Sequence, residues 1–166
     1  LPQNRGFNII YEAQVISKEQ EHDFNFPFQI GVNGDDPEVK SLSFEHEVKY
    51  GNLVLLVSDG VLDNLFSHDI EYILYEYIEG IKQVNGRGLR QIVENFDGKV
   101  FSELLAEKTL EISKNTEFIS PFAVGAMRSG LIAQGGKMDD ISVVSAMIRF
   151  TQEAMPEELK VSEKEV

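Results

Sequence analysis

The longest uninterrupted apolar run is Leu53-Val54-Leu55-Leu56-Val57, and it ends abruptly in Ser58-Asp59-Gly60-Val61-Leu62-Asp63. Its length and its Val and Leu content predict a strand covered on both faces. A carboxylate at the mouth of a buried strand is costly to desolvate unless something pairs with it. An exposed loop, a hydrogen-bonded cap or a metal ion would each remove that cost.

Other segments carry periodic patterns. β-formers crowd residues 7–16, which predicts a strand or hairpin arm. Residues 17–23 form a polar link. Phe24-Asn25-Phe26-Pro27-Phe28 sets three Phe around a Pro, which argues against a central strand. Such a segment either plugs its aromatics into the core or exposes them as a contact surface. Asn33-Gly34-Asp35-Asp36-Pro37 signals a turn. Residues 43–50 alternate strictly and predict a half-buried strand with Phe44, His46, Val48 and Tyr50 on its inner face.

Beyond Asp59, residues 61–66 suggest a helical turn. Ile70, Ile73, Leu74, Tyr77, Ile78 and Ile81 recur at helical spacing, so an amphipathic helix is expected over 68–83, with Ser67 as its cap. A second helical pattern runs through Leu89, Ile92, Val93 and Phe96, and a third covers 99–114. Residues 115–136 lack periodicity and read as a long loop, a kind of segment that is usually functional. Residues 141–150 predict another strand, and 151–166 a charged tail or short surface helix. These elements predict an α+β protein with helices packed on a sheet face.

Composition narrows the function. The chain has 166 residues and 42% hydrophobic content, enough for one domain or part of one with a real core. Its 15 basic and 28 acidic residues give a net charge of −13. That disfavours nucleic acid and anionic membrane surfaces as partners. Without cysteine, neither a disulfide framework nor a thiolate zinc site can form. No apolar run is long enough to span a bilayer. Leu1-Pro2-Gln3-Asn4-Arg5-Gly6 has neither a signal-peptide pattern nor an initiator Met, so a fragment or processed product is expected.

The acidic positions hold the candidate chemistry. Asp59 closes one predicted strand, and Asp139-Asp140 open another. If the strands are antiparallel neighbours, roughly 4.8 Å apart, those carboxylates converge and repel. A hard cation would relieve the repulsion, and oxygen-only ligation favours Mg²⁺ or Mn²⁺. Turn formation or helix capping by the same acids is the plainer alternative. A calcium loop of the EF-hand type fails: counted from Asp59, the third position is Val61, the sixth Asn64 and the twelfth Ile70. His22, His46 and His68 are scattered. Ser58 has no evident base, so a hydrolase triad is unsupported.

At these residues the chain resembles a known family. Ser58-Asp59-Gly60-Val61-Leu62-Asp63 is similar to the S-D-G-x-x-D motif of the metal-dependent PPM phosphatases, the protein phosphatase 2C family. Gly135-Gly136-Lys137-Met138-Asp139-Asp140-Ile141-Ser142-Val143 resembles that family's late motif. Phe24-Asn25-Phe26-Pro27-Phe28-Gln29 and Ser120-Pro121-Phe122-Ala123 are similar to stretches of the PPTC7-like branch, which includes mitochondrial members. The resemblance covers about residues 7–150.

It implies part of a four-layer α/β/β/α sandwich of two antiparallel sheets flanked by helix pairs. It also implies hydrolysis of phosphoserine and phosphothreonine on proteins by water activated between two Mg²⁺ or Mn²⁺ ions. Carried over, Asp59 and Asp139 match metal-ligand aspartates, and Asp63 an acid near the metals. Asp140 stands where many members have Asn and is assigned a supporting role. The family's early E-x-R-G and D-G-H-G segments have no counterpart here: Asp97-Gly98-Lys99 lacks the His, and Arg5-Gly6 lacks a preceding acid.

Residues 1–150 are therefore expected to be the C-terminal part of a phosphatase domain, holding half a metal site. A sheet face or edge should be left exposed for the missing N-terminal half to cover. The compartment stays open between cytoplasm and mitochondrion. Two alternatives remain at this stage: a non-catalytic phosphatase-like interaction module, and an unrelated acidic α+β binding domain. The last would place Asp59 and Asp139 beyond the roughly 5 Å reach of a shared ion.

Overall fold

The computed structural model describes residues 12–31 and 34–151. The described part is α+β, with two small antiparallel sheets and six helices. In chain order it runs β1 (Glu21–Asp23), β2 (Phe26–Pro27), α1 (Pro37–Lys40), β3 (Leu53–Val57) and α2 (Asp59–Leu62). There follow α3 (Ser67–Asn85), α4 (Leu89–Asn95), α5 (Gly98–Ser113), α6 (Pro121–Arg128) and β4 (Val143–Met147). Among the described residues no helix is long and apolar enough to cross a membrane.

The central sheet pairs β3 with β4 antiparallel, in a register that sets Val57 opposite Val143 and Leu53 opposite Met147. Side chains alternate across a strand, so one face carries Leu53, Leu55, Val57, Val143 and Met147. These pack on a core of Val61, Leu65, Ile81, Phe96, Phe101 and Leu105. Tyr77, Phe96 and Phe101 form an aromatic cluster in it, with ring centroids 5.3 to 5.6 Å apart. The apolar stripe of α3 reaches this core through Ile70, Ile73, Leu74 and Tyr77.

Helix ends follow from local chemistry. The Asp97 carboxylate accepts from Val100 N–H at the start of α5, and the Ser120 hydroxyl from Ala123 N–H at the start of α6. At α3 the cap is Phe66, whose N–H donates to the Asp69 carboxylate. Ser67, expected to be the cap, is the first helical residue instead.

Several expectations need correction. Among the described residues β3 is covered on one face only: Leu56 is 66% exposed and Val144 beside it 61%. Residues 43–50 form no strand, and His46 and Val48 are exposed. Alternation marks a strand only where a neighbour supplies backbone partners, and none of the described residues pairs with this segment. Of the expected 7–16 strand, residues 7–11 lie outside the described residues, and 12–16 are not in a strand. The tail at 152–166 also lies outside them.

Two segments hold more structure than their patterns suggest. The polar link contributes β1, paired with β2 in a two-stranded ribbon. Pro27 sits in that ribbon's edge, where a missing N–H is tolerated. Phe24 packs against Phe122 with ring centroids 5.2 Å apart, whereas Phe26 is 54% exposed, so the Phe cluster only partly enters the interior. Within 115–136, α6 occupies what aperiodicity predicts to be loop.

Candidate metal centre

The antiparallel pairing of β3 and β4 places the end of one strand beside the start of the other. Ser58 locks this junction. Its N–H donates to Ser142 O, its hydroxyl donates to Asp140 O at 2.8 Å, and the same hydroxyl oxygen accepts from Ser142 N–H at 2.9 Å. The backbones also approach closely, because a Cβ on Gly60 would collide with the Asp140 carbonyl oxygen. Gly60→Ala is therefore expected to cost about 2 kcal/mol by forcing apart two backbone segments that have no flexible side chain to yield. A lowered urea midpoint with unchanged slope would register it.

α2 begins at Asp59 and is capped at its end by Asp63, one turn later, so both carboxylates lie on the side of α2 that meets the 137–140 segment. Asp59, Asp63 and Asp139 each offer an oxygen, and these oxygens lie within 4.8 Å of one another. That meets the roughly 5 Å reach of a shared ion. Asp140 is exposed and takes part through its backbone, donating N–H to the Asp139 carboxylate and accepting from Ser58.

Lys137 completes the cluster. Its ammonium lies 2.6 Å from Asp63 Oδ2 and 2.9 Å from Asp139 Oδ2, and 4.8 Å from the centre of the Phe122 ring. Burial alone would lower the Lys137 pKa, but the hydrogen bonds it donates to Asp63 and Asp139 outweigh that and hold the pKa above the ordinary value. The same hydrogen bond pulls Asp139 below the usual carboxylate range. Asp63 moves the other way: partial burial pushes it up, and Asp59 and Asp139 add to the push against the pull of Lys137. Three carboxylates against one ammonium leave two net negative charges. A hard, oxygen-seeking dication fits this donor set.

Three further residues, Asn64, Ser120 and Phe122, support the cluster. Asn64 is completely buried. Its amide donates to Gly60 O and Lys137 O, and its oxygen accepts from Lys137 N–H, all at 2.8 Å. It thereby pins the backbone of the late segment to α2. Phe122 N–H donates to Asp63 O, so the start of α6 braces the same corner. Ser120, besides capping α6, donates to Gly135 O at 2.6 Å. Gly135 has a φ of +84°, which favours glycine at this turn. The Ser120-Pro121 pair is itself a helix-start signal and could have revealed α6.

Comparison with known proteins agrees with the motifs. The chain is 34% identical to the protein phosphatase PTC7 homolog fig of Drosophila sechellia over 155 residues, covering 86% of this chain and 45% of that protein. It is 28% identical to the human protein phosphatase PTC7 homolog over 154 residues, again 86% of this chain and 46% of that protein. The chain belongs to the PPM family, in its PPTC7-like branch.

It spans about half the length of the curated relatives it matches. The X-ray structure of the photosystem II phosphatase PBCP shares the fold, with a TM-score of 0.60 at 23% identity, covering 83% of this chain and 52% of that one. No family model matches the chain. Within this PPM chain, the S-D-G-x-x-D and late G-G-K-x-D-D segments are the two sides of the acidic cluster.

Proposed function

We propose that the intact protein hydrolyses phosphoserine and phosphothreonine on proteins with the help of two bound Mg²⁺ or Mn²⁺ ions. The observation that carries this reading is the convergence of Asp59, Asp63 and Asp139 on one point in a PPM chain. Asp59 and Asp139 would hold metal, with Asp63 beside them. The bound ions would supply a water acidic enough to ionise near neutral pH and would offset charge on the phosphoryl group. The chain's own part is to hold the carboxylates in place. Ser58 ties the two strand ends, Asn64 fixes the late segment, and Lys137 keeps Asp63 and Asp139 from separating.

Residues 1–150 are read as the C-terminal part of the catalytic domain, with 151–166 as a charged tail. The further ligands and a second sheet would come from an N-terminal part. The bare apolar face around Leu56 and Val144 supports this, as does a match to only about half of each relative. Together the two parts would form the four-layer sandwich. The test is phosphate release by the intact protein from phosphoserine, phosphothreonine and phosphotyrosine peptides. Release from the first two is expected to stop on chelation and return with Mn²⁺. Chelator-resistant turnover, or a preference for phosphotyrosine, would refute the reading.

A further inference from the structure

Lys137 is the one basic side chain that enters the acidic cluster among the described residues, and it does so from the loop that carries Asp139. Its backbone cannot follow its side chain, because Asn64 holds both Lys137 N–H and Lys137 O. Only the flexible stem is free to move, and the Phe122 face gives it an apolar shelf. Asp139 meanwhile has both oxygens engaged, Oδ1 by Asp140 N–H and Oδ2 by the ammonium. Asp63 Oδ2 is engaged by the same ammonium. A dication that takes Asp63 Oδ2 or Asp139 Oδ2 must therefore displace Lys137 from it.

We propose that Lys137 is a resident counter-cation: it holds Asp63 and Asp139 together in the metal-free protein, gives way when a divalent ion enters, and so lowers the site's affinity for that ion. The inference rests on the metal-centre reading above. Without Lys137 the three carboxylates repel one another, so the metal-free protein loses stability. The site then gains negative charge, so a dication binds more tightly. A merely structural lysine would show the first effect without the second.

The experiment compares the intact protein with its Lys137→Gln and Lys137→Arg variants, reading urea midpoints in EDTA and Mn²⁺ affinity by calorimetry. Lys137→Gln is expected to unfold at lower urea in EDTA and to bind Mn²⁺ at least about tenfold more tightly, a lower bound that a lysine charge facing a dication reaches at this range even with the dielectric of water. Lys137→Arg is expected to stay close to the parent in both measurements. If the parent binds Mn²⁺ and Lys137→Gln binds it equally or more weakly, the counter-cation role is overturned and the metal centre stands. If neither binds Mn²⁺, both readings fall.

Discussion

Asp59→Ala is expected to abolish Mn²⁺-dependent hydrolysis of a phosphoserine peptide by the intact protein while leaving the fold in place. The loss should be at least about a hundredfold, the minimum cost of deleting one charge-stabilising group from a reaction of this kind. The fold should survive because Asp59 is exposed and, among the described residues, its carboxylate accepts one hydrogen bond, from Gly60 N–H at 2.9 Å, while its backbone bond to Asp63 N–H is kept in the variant. Removing it also relieves repulsion from Asp63 and Asp139, which lie in the same cluster. Parallel urea curves for parent and variant, beside a collapsed rate, would fit this account. Equal rates would remove Asp59 from the chemistry.

Asn64→Leu should show the opposite balance. Leu fills a similar volume but can neither donate nor accept. It would leave Gly60 O, Lys137 O and Lys137 N–H without their partner, in a place where water cannot easily replace it. Each orphaned buried group costs about 1–3 kcal/mol, so a total loss of about 3 kcal/mol or more is expected. Activity should fall too, because the segment that carries Lys137 and Asp139 would no longer be held against α2. Asn64→Leu with the urea midpoint of the parent would mean that Asn64 is not what holds the late segment against α2.

The contrast between these residues explains what could be read from the sequence. α3 and α5 were legible because their large apolar side chains recur at helical spacing over many turns. β3 is legible as a short apolar run and β4 as an alternating one, while their antiparallel pairing is the condition under which the acids at their ends converge, and the register meets it. Asp59 and Asp139 stand out because acids at strand ends are chemically conspicuous, whereas Asp63 is named only through the resemblance to the S-D-G-x-x-D motif. Asn64 is marked by neither. Its partner Lys137 lies 73 positions away, and a single polar residue in a helical turn looks like surface. α6 escaped for a related reason. It buries Ala123 and Ala126, side chains too small to write a strong periodic pattern.

The errors in the opposite direction share one cause. The pattern at 43–50 and the apolar run at 53–57 each report how much surface is suited to burial, not what covers it. Among the described residues no strand pairs with 43–50, and nothing covers the outward face of β3 and β4. Both fit the reading that further sheet belongs there. Chain similarity supplied what local pattern could not, by tying the two motifs to a phosphatase family.

The most direct test is where a metal sits. Crystals of the intact protein soaked in Mn²⁺ and measured for anomalous scattering should show a peak about 2.2 Å from carboxylate oxygens of both Asp59 and Asp139. The Lys137 ammonium should be drawn away from at least one of its two carboxylate partners. A Mn²⁺ peak elsewhere, with Lys137 still bridging Asp63 and Asp139, would contradict the account.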